Sequence, residues 1–142
     1  MNATTIWRQR VQKKVQPVVR ILLGLLFTFS GIAFFFTTPP PLEGDMATFF
    51  TGLAASKYFF YLLKGTETAC GLLLVSGFFV PLALVVLAPV SINIFLVHAF
   101  LAPSGLPLAV TVGAALIYLA FFSPSYSPVV KGLFVMKSGA AR

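Results

Sequence analysis

The chain has 142 residues, of which 58% are hydrophobic and only 9% charged, and its formal net charge is +7. Soluble domains carry about 25% charged residues, so a water-facing surface cannot be built from this composition and lipid must cover much of it. From Thr68 to Val130 no Asp, Glu, Lys or Arg occurs, a run too long for one membrane span and readily divided into several. These features exclude a soluble catalytic lobe. Nucleic-acid binding is excluded as well, because the positive charge flanks apolar stretches instead of forming one basic face.

Residues 1–17 are polar and basic. Ile6, Val11, Val15 and Val18 recur at helical intervals among Arg8, Arg10, Lys13 and Lys14. This pattern predicts a short amphipathic helix on the membrane surface. The first span is expected over Val18–Thr37, ended by Pro39-Pro40-Pro41, since proline removes a backbone donor and restricts its predecessor. It ends in bulky aromatics without a small-residue cleavage site, so it is read as a retained span. Met46–Lys57 is too short to cross and predicts an interfacial helix.

The second span is expected over Tyr58–Gly77 and the third over Leu82–Ala102, with a kink at Pro89. The fourth is expected over Leu108–Phe122, and residues 123–142 form a basic tail. The fold class is therefore all-α: a polytopic membrane four-helix bundle spanning residues 18–122, with a short interfacial helix between spans one and two. An even span count puts both termini on one side. Arg8, Arg10, Lys13, Lys14, Arg20, Lys131, Lys137 and Arg142 mark that side as cytoplasmic, against Lys57 opposite.

Glu67 and Lys64 are the informative residues, because both fall inside the second span. An ionised group near the bilayer midplane costs on the order of 2.5–3.5 kcal/mol even on the permissive insertion scale, and such groups usually face a bundle interior or wet cavity. Tyr61, Lys64, Glu67, Thr68 and Gly71 share one helical face. Glu67 lies about 13 Å below the outer end of its helix, at 1.5 Å per residue. Depth alone groups Glu67 with Asn93, and Lys64 with His98 and Ser30. Asn93 and His98 are about 140° apart on a regular helix, so they face different neighbours.

The ligand-binding or proton-relay candidates are thus Glu67, Lys64, Asn93, His98, Ser30 and Tyr61. A simpler alternative stays open, in which Lys64 and Glu67 only neutralise each other at i, i+3 spacing. One His and one Cys supply no multi-His or Cys-based metal site, so no metal is expected. Cys70 reads as a small packing residue.

The first span reads Arg20-x3-Gly24-x2-Phe27-x2-Ser30-Gly31, and the second Glu67-x3-Gly71-Leu72-Leu73-x3-Gly77-x3-Pro81. With Asn93 and His98 on the third span, this order resembles the DoxX family of small four-helix bacterial membrane proteins. Where the family often carries a lysine after the Ser-Gly pair, this chain has Ala33 and Phe34–Phe36. The resemblance implies a helical bundle in the bacterial cytoplasmic (inner) membrane and an association with redox functions, some relatives being subunits of thiosulfate:quinone oxidoreductase. The expectation that follows is an accessory membrane subunit holding a quinone near Glu67, with no covalently bound cofactor. Its partners would be the lipid bilayer, a cytoplasmic or membrane oxidoreductase and, in one alternative, a second copy in a homo-oligomer. The alternatives in function are a small transporter of an amphipathic solute and a ligand-free membrane scaffold.

Overall fold

The computed structural model describes residues 2–135, and they are helical throughout apart from short connections. The order is α1 (Ala3–Phe36), α2 (Gly44–Ala54), α3 (Phe59–Ser76), α4 (Val80–Phe100), a 3₁₀ turn at Pro103–Gly105, α5 (Leu106–Ile117), a π-helical turn at Tyr118–Phe122, and α6 (Ser127–Gly132). Three stretches are long and apolar enough to cross a membrane: Ala3–Phe36, Val80–Phe100 and Pro103–Phe122. The remaining long helix, α3, has 18 residues and is made less apolar by Lys64, Thr66, Glu67 and Thr68. Lys137 and Arg142 of the expected tail lie outside the described residues.

The largest departure from expectation is at the N-terminus. The segment read as a separate surface helix is the first half of α1, which runs unbroken through Pro17. Proline deprives the carbonyl four residues earlier of its donor. Here that carbonyl belongs to exposed Lys13, where water can satisfy it. At 34 residues α1 is roughly 51 Å long, well beyond a hydrocarbon core of about 30 Å. Pro89 likewise lies inside a continuous helix, α4, which runs from Val80 to Phe100 as one span.

Between α3 and α4 the chain reverses through Gly77 (φ 83°) and Phe79 (φ 50°). The left-handed position at Gly77 is the usual glycine C-cap. Phe79 enters the same region without that freedom and begins α4. The core is built from Leu23 and Phe27 of α1, Leu74 of α3, Leu84 and Leu87 of α4, Leu116 of α5 and Leu119 of the π turn. Large apolar side chains such as Phe29, Phe100 and Leu22 point outward, as expected where lipid is the solvent.

Lipid offers little hydrophobic drive for helices to associate, so close packing and interhelical hydrogen bonds carry the fold. The longest interface joins α1 and α3, and glycines make it possible. A Cβ on Gly71 would lie 2.6 Å from the Thr28 backbone nitrogen and 2.7 Å from the Gly24 carbonyl oxygen. A Cβ on Gly24 would lie 2.8 Å from the Gly71 oxygen, and one on Gly31 would meet the Lys64 oxygen at 2.8 Å. Backbone therefore rests on backbone along about two turns. Cys70, buried in the core beside Gly71, is a free thiol that fills space.

Candidate functional site

The α1–α3 seam places three polar side chains together. Lys64 Nζ donates to Glu67 Oε2 at 2.7 Å, Ser30 Oγ donates to the same oxygen at 3.3 Å, and Lys64 Nζ lies 3.3 Å from Ser30 Oγ. The result is a closed triangle between two helices, formed because Gly31 lets α3 approach within one residue of Ser30. Thr68 Oγ1 donates back to the Lys64 carbonyl at 2.8 Å. That bond keeps the hydroxyl turned toward its own helix and against Gly31.

Burial is unequal across the ion pair: the Glu67 side chain is 2% exposed and that of Lys64 21%. A carboxylate taken so far from solvent is costly unless paired and hydrogen-bonded. Both of its contacts converge on Oε2, and Oε1 accepts no hydrogen bond among the described residues. The group thus has one oxygen committed to structure and one uncommitted. Geometrically it can accept a hydrogen bond from a bound molecule at Oε1 without disturbing the contacts at Oε2; a proton taken up there would neutralise the carboxylate and leave Lys64 hydrogen-bonded to a neutral acid.

One turn further toward the α2 end, the same helices open into an aromatic cleft of about 340 Å³ lined by Phe34, Leu53, Ala54, Lys57, Phe59, Phe60 and Tyr61. Phe34 follows Ser30 by one turn of α1, and Tyr61 precedes Lys64 by nearly one turn of α3. Phe60 stacks on Phe50 of α2 with ring centroids 5.7 Å apart and planes 7° from parallel, which fixes α2 as one wall. Tyr61 is 63% exposed, and its ring meets Phe34 and Phe35 at 6.2 and 6.1 Å.

The other sequence candidates sit elsewhere. Asn93 is half-buried on α4, and no hydrogen bond among the described residues involves it. His98 Nδ1 is 3.1 Å from the Ala102 carbonyl oxygen, and its ring packs on Gly105. It closes the end of α4. Ser91, seven residues before His98, is buried on α4, and its Oγ would lie 3.8 Å from a Cβ on Gly113. Of the residues grouped by depth, Ser30 and Lys64 meet, and no hydrogen bond among the described residues joins Glu67 to Asn93 or Lys64 to His98. Which helices share a seam decided the rest.

Sequence reasoning did not see a second polar cluster at the opposite end of the helices. Arg20 Nη1 donates to the Tyr126 hydroxyl at 3.3 Å, and the Ser125 amide donates to Gln16 Oε1 at 3.4 Å. Over a hundred residues separate these partners, and nothing in local pattern links them. From the sequence, Arg20 was legible as part of the basic flank and as the first residue of the Arg20-x3-Gly24 pattern, not as a partner of Tyr126.

A helical membrane protein with several apolar spans is the class that this fold defines. Residues 16–99 match the family model described as DoxX, a stretch that covers more than half of the chain and runs from Gln16 in α1 nearly to the end of α4. The chain belongs to the DoxX family. No curated protein and no solved structure matches it.

Proposed function

We propose that the protein is an accessory membrane subunit of a quinone-linked redox system, holding the polar head of an amphipathic quinone beside Glu67. In this reading α3 crosses the bilayer with the three more apolar stretches, giving a four-helix bundle in the inner membrane with both termini cytoplasmic. The skew of Lys and Arg toward the two ends supports that orientation. Glu67 accepts or relays a proton through Oε1, Lys64 holds the carboxylate in place, and Ser30 fixes its rotamer. The aromatic cleft, floored by Phe34 and Phe60 and edged by Tyr61, admits a planar head from the outer half of the membrane. An oxidoreductase at the cytoplasmic face supplies or removes the electrons.

The observation that carries this reading is a carboxylate 2% exposed whose second oxygen is uncommitted, one turn from an aromatic cleft. Intramembrane ionisable groups are rare and mark functional sites by default. Native mass spectrometry of gently extracted protein tests it: the wild type should retain a quinone and Glu67→Gln should lose it. Lack of any retained quinone in the wild type, or equal retention in both, would remove the proposal.

A ligand-free scaffold is the second reading, favoured by the closure of the Ser30–Lys64–Glu67 triangle within the tightest interface. It expects the same protein to extract empty. It also expects replacement of both charges by leucine to leave every cellular phenotype intact.

A further inference from the structure

The Arg20 cluster is rich in donors and poor in acceptors. Of the Arg20 guanidinium, only Nη1 has a partner, the Tyr126 hydroxyl at 3.3 Å. Nε is buried with no partner, and Nη2 makes no hydrogen bond among the described residues. The Tyr126 oxygen accepts from Arg20, and its own proton meets no acceptor there. Two adjacent side chains therefore present N–H and O–H groups that nothing in the described fold satisfies.

No side-chain carboxylate among the described residues is within reach to correct this. The chain has three acidic residues. Glu67 is held by Lys64, while Glu43 and Asp45 lie beyond the far end of α1. Sixteen residues of helix, roughly 24 Å, separate Arg20 from Phe36 alone. The guanidinium does rest against Gly77, the C-cap of α3, where the negative end of the helix dipole favours a cation. That field accounts for the position of the charge but satisfies none of its free N–H groups. Gln16, one turn earlier on α1, ties down Ser125 and so holds the Tyr126 segment against the helix.

Unmet donors around a half-buried positive charge, one of them the fully buried Nε, call for an oxyanion, and a guanidinium fork matches phosphate geometry in particular. We infer that Arg20 and Tyr126 form a seat for a phosphate group at the end of the helices where α3 turns into α4. Arg20 contributes Nη2–H and the charge, and Tyr126 contributes its free O–H. The seat is separate from the Glu67 triangle and stands whether or not that site binds a quinone. Its ligand is a phosphate-bearing molecule, and two sources share that chemistry: the phosphodiester of a membrane lipid and a soluble phosphate.

Thermal unfolding of the full chain in neutral detergent distinguishes them, with dioctanoyl phosphatidylglycerol, dioctanoylglycerol and inorganic phosphate as probes. The phospholipid should raise Tm and dioctanoylglycerol should not. In Tyr126→Phe and Arg20→Gln the phospholipid concentration needed for the same shift should rise at least roughly tenfold, the scale of a hydrogen bond to a charged partner. Tyr126→Phe keeps the ring and its packing, so the test survives should Arg20→Gln fail to fold. A shift with inorganic phosphate, lost in the same variants, supports the seat with a soluble anion as its ligand. Equal shifts from phosphatidylglycerol and dioctanoylglycerol, no shift from either phosphate, or shifts unchanged in both variants would overturn the inference.

Discussion

Lys64→Leu is expected to cost about 3–5 kcal/mol of folding stability while Glu67 remains, the range for removing one partner of a buried ion pair. Glu67 is 2% exposed and would keep only the 3.3 Å hydrogen bond from Ser30. Lys64 is in a different position. At 21% exposure it has a route outward, and its long stem can carry the ammonium toward the interface. Glu67→Leu should therefore destabilise less than Lys64→Leu.

The double variant Lys64→Leu with Glu67→Leu should be close to neutral or more stable than the wild type, because apolar pairs often replace buried ion pairs without loss. Equilibrium unfolding of purified protein in mixed micelles measures all three. A double variant as unstable as Lys64→Leu would mean that the triangle contributes more to the fold than its charges cost. A stable double variant with every cellular phenotype intact would favour the scaffold reading. A stable double variant that has lost quinone retention would instead mark the charges as kept for function.

The second large effect is steric. Gly71→Val should destabilise by about 3 kcal/mol or more, at or above the usual cost of overpacking. Even its Cβ would lie 2.5 Å from Thr28 Oγ1 and 2.6 Å from the Thr28 nitrogen. A side chain can rotate aside, but the Thr28 backbone and the Gly24 carbonyl cannot yield without parting α1 from α3. Parting them also opens the Ser30–Glu67 contact, so the change reaches the candidate site from a full turn away.

Gly65→Ala supplies the internal control. It lies on the same helix, but a Cβ there meets nothing within 4 Å. Removing a glycine from a helix interior gains up to about 1 kcal/mol, so this variant should match or exceed the wild type. Comparing the two by unfolding in micelles separates helix propensity from interhelical approach. Equal losses in both would show that the α1–α3 seam is not packed as described.

Much of the fold was legible from residue type alone. The scarcity of charge and the long uncharged run required membrane helices. The prolines at 39–41 and the Gly77–Pro81 stretch marked two of the reversals within a few residues. The interfacial helix expected over Met46–Lys57 is α2, shifted toward Gly44. What misled was composition: the polar, basic residues 1–17 suggested a separate surface helix, yet α1 continues from Ala3 to Phe36 through Pro17. One lost hydrogen bond is a small deficit in a long helix.

By itself the sequence determined that a carboxylate and an ammonium lie within one apolar helix and share a face, because composition and the 3.6-residue period fix both facts. It could not determine which neighbour that face meets. Tertiary structure decided that Ser30, and no hydrogen-bonding group of α4, completes the triangle, and that Arg20 meets Tyr126 across the chain. The physical reason is that partner choice depends on how closely two backbones approach and how they are rotated. Glycines at 24, 31 and 71 permit that approach, but only the assembled helices reveal which ones make it.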